Sequence, residues 1–222
     1  MVYPVTLLTT NGPENMTAKQ DAPAFHRNKQ PMLDVLVPLL AGEQKHVLEI
    51  ASGSGQHGPF FTDAMDNLVW WPSDINAEAI NSINAWRREL DADAVQNPQL
   101  VDVTADQWRT GESFTGWPEK FDAIVSMNMI HIAPGAATPG LIEGAAKRLN
   151  SNGKLIFYGP FKRNGKQTAD SNEKFDQWLK SRDADWGVRD LEDVTETAKS
   201  NGLTHYKTIE MPANNLVVVF RM

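Results

Sequence analysis

The sequence predicts an α/β fold: one seven-stranded, mostly parallel sheet with helices on both faces, closed by a C-terminal antiparallel hairpin. Three observations predict it. Short apolar runs alternate with segments of helical period, the pattern of parallel strands joined by crossover helices. The first apolar run opens into a glycine turn, Ala51-Ser-Gly53-Ser-Gly55. The last helical segment is followed by two strands and no further helix.

Each element has its own signal. After the polar, turn-rich residues 11–30, Met32, Leu33, Leu36, Val37 and Leu40 recur at helical spacing behind Pro31, so a helix precedes the first strand. His46–Ile50 is a strand leading into the glycine turn, and Phe60, Phe61 and Met65 then share one helical face. Leu68–Asp74 is the second strand. Ala77–Leu90 is a helix with Ile80, Ile83 and Trp86 inward. Strands follow at Gln99–Val103, Phe121–Ser126 and Gly153–Tyr158, the last two flanking a helix near Leu141–Leu149. The polar stretch Lys162–Asn172 reads as a long functional loop. A helix over Glu192–Asn201 ends at Gly202, and strands Thr204–Met211 and Leu216–Phe220 enclose the turn-rich Pro212-Ala-Asn214-Asn215.

Bulk properties narrow the function. The 222 residues, 41% hydrophobic and 22% charged, suit one globular domain over 1–222, with an N-terminal helical cap segment (1–45) ahead of the core (46–222). A net charge of −7 opposes binding to a phosphate backbone, so nucleic acid is not an expected partner. The absence of cysteine excludes disulfides, thiolate zinc sites and cysteine nucleophiles. His26, His46, His57, His131 and His205 are scattered without ligand spacing, so no metal is expected. Pro4 interrupts the opening apolar run, which lacks a basic region, and no stretch reaches the ~18 apolar residues of a membrane span. The expectation is a cytoplasmic protein that acts on a small molecule away from membranes.

The glycine turn carries the chemistry. Gly53 and Gly55 let backbone approach a ligand and present free N–H groups at a helix start. Asp74 follows Gly55 by 19 residues, where a carboxylate that accepts both ribose hydroxyls is expected. A nucleoside cofactor is implied. Glu49 then discriminates between cofactors. Negative charge beside the turn disfavours a pyrophosphate and favours a cationic ligand such as S-adenosyl-L-methionine, with its sulfonium and α-ammonium.

Glu49-Ile-Ala51-Ser-Gly53-Ser-Gly55, with a helix before the first strand and a terminal hairpin, resembles the first motif and topology of Rossmann-like class I S-adenosylmethionine-dependent methyltransferases. Ala51 replaces the usual first glycine. More narrowly, Arg27-Asn28, Leu48-Glu-Ile-Ala-Ser-Gly53, Trp71-Pro-Ser-Asp74, Asn128-Met-Ile-His131, Tyr158-Gly-Pro160 and Met211-Pro-Ala-Asn-Asn215 resemble the methyltransferase-like domain-of-unknown-function 938 group. The resemblance implies a cofactor site of Glu49, Ala51, Ser52, Gly53 and Gly55, with Asp74 and Ile75 at the ribose and Asp102 and Val103 beside adenine. Arg27 and Asn28 would fold over the cofactor carboxylate.

Catalytic candidates lie at the carboxyl ends of later strands, where ligands meet an open parallel sheet. His131 reads as a general base or a hydrogen-bonded structural residue. Tyr158 reads as an orienting hydroxyl or a core aromatic, and Asn128 as a substrate contact or a helix cap. Two alternatives to methyl transfer to an O, N or S nucleophile stand. Gly53, Gly55, Gly58 and Asp74 also fit an NAD(P)-dependent oxidoreductase, although no Tyr-x-x-x-Lys accompanies them. A non-catalytic cofactor-binding sensor would keep the same fold.

Overall fold

A computed structural model of the chain describes residues 19–108, 114 and 116–222. The opening apolar run and the first part of the polar stretch, 11–18, lie outside the described residues. Seven strands form one sheet: β1 (Lys45–Ile50), β2 (Leu68–Asp74), β3 (Gln99–Leu100), β4 (Phe121–Met127), β5 (Leu149–Gly159), β6 (Thr204–Met211) and β7 (Asn215–Arg221). Their order is β3-β2-β1-β4-β5-β7-β6. The first five pair in parallel, and β7 runs antiparallel to both β5 and β6, as expected for the closing hairpin.

Helices α1 (Pro23–Leu39), α2 (His57–Ala64), α3 (Ala77–Glu89), α4 (Ala137–Arg148), α5 (Asp170–Arg182) and α6 (Leu191–Ser200) cover the sheet. Side chains alternate across a strand, so each central strand feeds two cores. Leu48, Ile124, Leu155, Val218 and Phe220 meet Leu141 of α4 and Val194 of α6. Val47, Val125, Ile156, Val217 and Val219 meet Met32 and Leu36 of α1 and Phe61 of α2. Burying each such side chain contributes roughly 1.5–3 kcal/mol, which makes the two-faced apolar pattern the principal determinant of the fold.

Three expectations need correction. The first helix starts at Pro23, eight residues before Pro31, and Pro31 and Pro38 lie inside it. Pro23 occupies the first turn, where a missing N–H has no intrahelical partner to lose. Pro31 interrupts a turn carrying exposed Arg27, and the helix continues because Phe25, Asn28, Met32, Val35 and Leu36 are buried along one face. Arg27 and Asn28 are therefore helical.

The third strand is two residues long, where five were expected. Asp102 ends it: its Oδ1 accepts from the Thr104 N–H at 2.8 Å and the Thr104 hydroxyl at 2.6 Å, which turns the chain away from β2.

The loop expected over Lys162–Asn172 is shorter. Arg163 and Lys166 bridge a tight turn in which Asn164 and Gly165 both have positive φ (51° and 74°), and α5 begins at Asp170. That helix has a faint apolar period because two of its three buried residues, Asn172 and Asp176, are polar. Hydrogen bonds replace apolar contact there. Asn172 donates to Asn214 O at 3.0 Å, and Asp176 accepts from the Val188 N–H at 2.7 Å.

Candidate active site

The carboxyl ends of β1, β2 and β4 open into a cavity of about 600 Å³. Its floor is the turn after β1. Ala51, Gly53 and Gly55 all have positive φ (59°, 56° and 82°), which folds the chain tightly between β1 and α2. Alanine at 51 pays about 1–2 kcal/mol of left-handed backbone strain that glycine would not. Gly55 serves packing: a Cβ there would stand 2.6 Å from Ile83 Cα, so only glycine lets α3 approach the turn.

The turn is tied to β2 by hydrogen bonds. The Ser52 N–H donates to Ser73 O at 2.8 Å, and the Ser73 hydroxyl donates to Glu49 O at 2.7 Å. Asp74, buried at the end of β2, accepts from the Gly53 N–H through Oδ2 and from the Asn76 N–H through Oδ1, both at 2.9 Å. A carboxylate offers about four lone-pair sites, so each oxygen keeps capacity for a ligand hydroxyl.

Glu49 is 2% exposed and lines the same cavity. Trp70 Nε1 donates to its Oε2 at 3.0 Å. Burial drives its carboxyl up to about 7, against the hydrogen bonds from Trp70 and Ser52 that hold it down, with the charge of Asp74 adding to the rise. His57 Nδ1 lies 3.8 Å from Glu49 Oε1, and burial pushes the ring down to about 4. The contact is consequently not an ion pair near neutrality.

A second wall faces this floor. Val101–Thr104 lie opposite the apolar Met129, Ile132, Ala133, Pro134 and Ala137. The two sides converge because Gly140 has no Cβ: one would fall 2.2 Å from Val103 O. Trp108 Nε1 donates to Gly140 O at 2.9 Å and holds that approach. The roof comes from α1 and the residues before it, as Ala22, Ala24, Phe25 and Asn28. The Ala22 N–H donates to Gln56 Oε1 and the Gln20 N–H to Ser82 Oγ, both at 2.8 Å, which stitches this segment to the floor.

The cavity brings together Glu49, Ala51, Ser52, Gly53, Asp74, Ile75, Asp102, Val103, Asn28 and Asn128. It does not bring in Gly55, Arg27, His131 or Tyr158. Arg27 is exposed on α1 and acts electrostatically on Tyr158. Tyr158 lies in the α1-side core, its hydroxyl accepting from Asn215 Nδ2 at 3.2 Å. Burial raises the phenol, with Asn215 and Arg27 opposing, so it stays protonated at neutral pH. Asn128 adopts positive φ (59°) and caps no helix: α4 starts at Ala137 without a side-chain cap.

His131 is 1% exposed, and neither ring nitrogen has a hydrogen-bond partner among the described residues. Its ring packs edge-on against Phe161, and burial, reinforced by Arg189, drives it down to about 3. Neither reading made from the sequence, base or hydrogen-bonded structural residue, fits that placement. His57, Phe25 and the apolar Ile132–Pro134 wall were not singled out from the sequence. His57 opens the helix after the glycine turn, a usable positional signal; the wall lies in a loop, where no periodicity marks it.

A sequence profile of the family described as protein of unknown function (DUF938) matches residues 19–222. The chain belongs to the DUF938 family. The sequence resemblance to that group and the mostly parallel, Rossmann-like sheet are both established. Solved methyltransferase structures share the fold. An O-methyltransferase family protein from Burkholderia thailandensis superimposes with a TM-score of 0.74 at 14% identity, over 89% of this chain and 57% of that one. An O-methyltransferase family 2 protein from Planctomyces limnophilus, solved with apigenin, gives 0.72 at 15% identity, over 87% and 56%. PigF, solved with SAH, gives 0.70 at 11% identity, over 90% and 55%. This DUF938 chain thus spans a little over half the length of each. Among its described residues no helix is long and apolar enough to cross a membrane, and no three His, Asp or Glu side chains converge as a metal-ligand set.

Proposed function

We propose that this DUF938 protein is an S-adenosyl-L-methionine-dependent methyltransferase that acts on an O, N or S nucleophile of a small molecule in the cytoplasm, without nucleic acid or membrane as partner. The observation that carries the reading is the pair of carboxylates in one cavity. Glu49, buried and with no Lys or Arg paired to it among the described residues, suits a ligand ammonium, and Asp74, with free lone pairs, suits ribose hydroxyls. A pyrophosphate placed against Glu49 would meet repulsion instead, which ranks the nicotinamide reading below this one. The neighbours named O-methyltransferases and the SAH-bound structure support the same cofactor class.

When bound, S-adenosylmethionine supplies an electrophilic methyl on a sulfonium, open to in-line displacement. The chain's residues supply binding and alignment. Asp74 and Ile75 would hold the ribose, Asp102 and Val103 with the apolar wall the adenine, and Glu49 the ammonium. Met127, the last residue of β4, and Asn128 just after it line the cavity, and the acceptor would enter there. No general base is assigned. Each of Asn128, Tyr158 and His131 remains outside proton transfer in this reading, the last two because the cavity does not reach them and burial fixes them neutral.

Calorimetric titration with S-adenosylmethionine, S-adenosylhomocysteine and NADH tests it. Micromolar binding of the first two alone, about −8 kcal/mol, is expected. Binding of NADH alone would overturn the reading, and binding of none would favour a non-catalytic protein of this fold.

A further inference from the structure

Three elements meet at Glu49 through side chains to which the reading above gives no part. Asn28 Oδ1 on α1 lies 2.8 Å from His57 Nε2 at the start of α2, and His57 Nδ1 faces Glu49 Oε1 at the end of β1. All three are buried, and all three line the cavity. Phe25 meets the His57 ring edge-on at 5.1 Å and Phe61 stacks on it at 5.5 Å, so the imidazole is clamped. An amide oxygen only accepts, which places the ring proton on Nε2 and leaves a lone pair on Nδ1 toward Glu49. That lone pair disfavours the ionised carboxyl and favours the protonated one. The other groups facing Glu49 are the Trp70 indole N–H and Asp74 from β2 and the Ser52 hydroxyl from the turn. Among the described residues no Lys or Arg pairs with it.

Resting on the reading of this cavity as an S-adenosylmethionine site, we propose that Asn28, His57 and Glu49 form a proton-coupled latch. His57, held in one tautomer by Asn28, is a positioning residue that keeps a proton on Glu49 until a ligand ammonium takes the carboxylate and sends that proton to solvent. The tautomer-fixing oxygen sits on α1, so the roof of the cavity sets the charge of its floor. Glu49 titrates at about 7 and His57 at about 4, so His57 stays neutral while Glu49 changes charge. The sign follows: ligand binding favours ionised Glu49, affinity rises with pH up to about 7, and it levels above.

The test is calorimetric titration of the whole protein with S-adenosylmethionine and S-adenosylhomocysteine from pH 5.5 to 8.5, in paired buffers of different ionisation enthalpy. Wild type should release close to one proton per ligand at pH 6 and almost none at pH 8.5, with affinity falling up to ~10-fold per pH unit below the midpoint. His57→Gln can donate to Glu49, and Asn28→Ala frees the imidazole to protonate Nδ1. Either change should move the midpoint to lower pH and shrink the release at pH 6. Asn28→Asp, whose carboxylate oxygen has the same reach and only accepts, keeps the ring proton on Nε2 and should not lower the midpoint, and wild type alone carries the proton count should a variant not fold. PH-independent wild-type binding without proton release would overturn the latch. So would variants that weaken binding equally at every pH, the mark of a purely structural role. Failure of both ligands to bind wild type at any pH would instead remove the cofactor reading on which the latch stands.

Discussion

The Gly53 N–H donates to Asp74 Oδ2 at 2.9 Å, so the glycine turn and the carboxylate at the end of β2 are built as one unit. Replacing Asp74 by Ala removes a ligand acceptor and leaves that N–H without its partner. Affinity for S-adenosylhomocysteine should fall by ~1–3 kcal/mol, roughly 5- to 150-fold, measured by calorimetry. Asp74→Asn should retain part of the binding because one oxygen still accepts. Unchanged affinity in the Ala variant would remove Asp74 from the site.

Opposite substitutions at the two ends of the turn should act with opposite sign. Gly55→Ala drives a Cβ to 2.6 Å from Ile83 Cα at a φ of 82°, and should cost about 2 kcal/mol or more by denaturant unfolding. Ala51→Gly relieves a φ of 59° at the expense of unfolded-state entropy, and should be neutral or stabilising by up to ~1 kcal/mol. A destabilised Ala51→Gly protein would mean that the Ala51 methyl contributes packing that outweighs its strain.

Among the described residues neither ring nitrogen of the buried His131 has a hydrogen-bond partner, a costly arrangement. His131→Leu, close in volume, should raise stability by about 1 kcal/mol with cofactor affinity unchanged. Chemical denaturation checks the first and calorimetry the second. Lower stability in the variant would show that the ring nitrogens are engaged in solution.

Three buried groups give stability a defined pH course. His57 and His131 titrate at about 4 and about 3 when folded, against an ordinary 6.5, so the stability linked to them is complete above 6.5 and is lost as pH falls. Glu49 runs the other way: its folded value near 7 exceeds the ordinary 4.5, so its contribution is present below 4.5 and lost as pH rises through 7. Between 4.5 and 6.5 the two histidines outweigh the one carboxyl. Unfolding free energy should increase across that window at up to ~1.4 kcal/mol per pH unit, the worth of one net proton. Urea titrations at several pH values check it. In the His57→Gln, His131→Leu double variant only Glu49 remains of the three, so the slope should reverse and stability should fall as pH rises through the window; a rise that persists would take the slope away from these rings.

The parts of this architecture that were legible in the sequence are those where one local signal coincides with one physical need. The left-handed turn at Gly53 and the place of Asp74 at the end of β2 were legible because such a turn and a strand-end carboxylate announce themselves by residue type and spacing. Val217, Val218 and Val219 read as strand because only a residue buried on either face can be apolar at every position. α5 did not read, because Asn172 and Asp176 occupy positions where a helix usually shows leucine, and their hydrogen-bond partners at Asn214 and Val188 are remote in sequence. The start of α1 was obscured by Pro31, whose effect inside a helix depends on the burial of Met32 and Leu36 beneath it. Gly55 looked like a ligand contact because the spacing cannot tell closeness to a ligand from closeness to Ile83.

Trp70 is fully buried and donates its indole N–H to the Glu49 carboxylate. Its ring polarisation is therefore set by whether that carboxyl is charged, protonated or covered by a cation. The protein carries its own fluorophore at the point where charge changes hands, and emission from Trp70 should register each such event without any label attached.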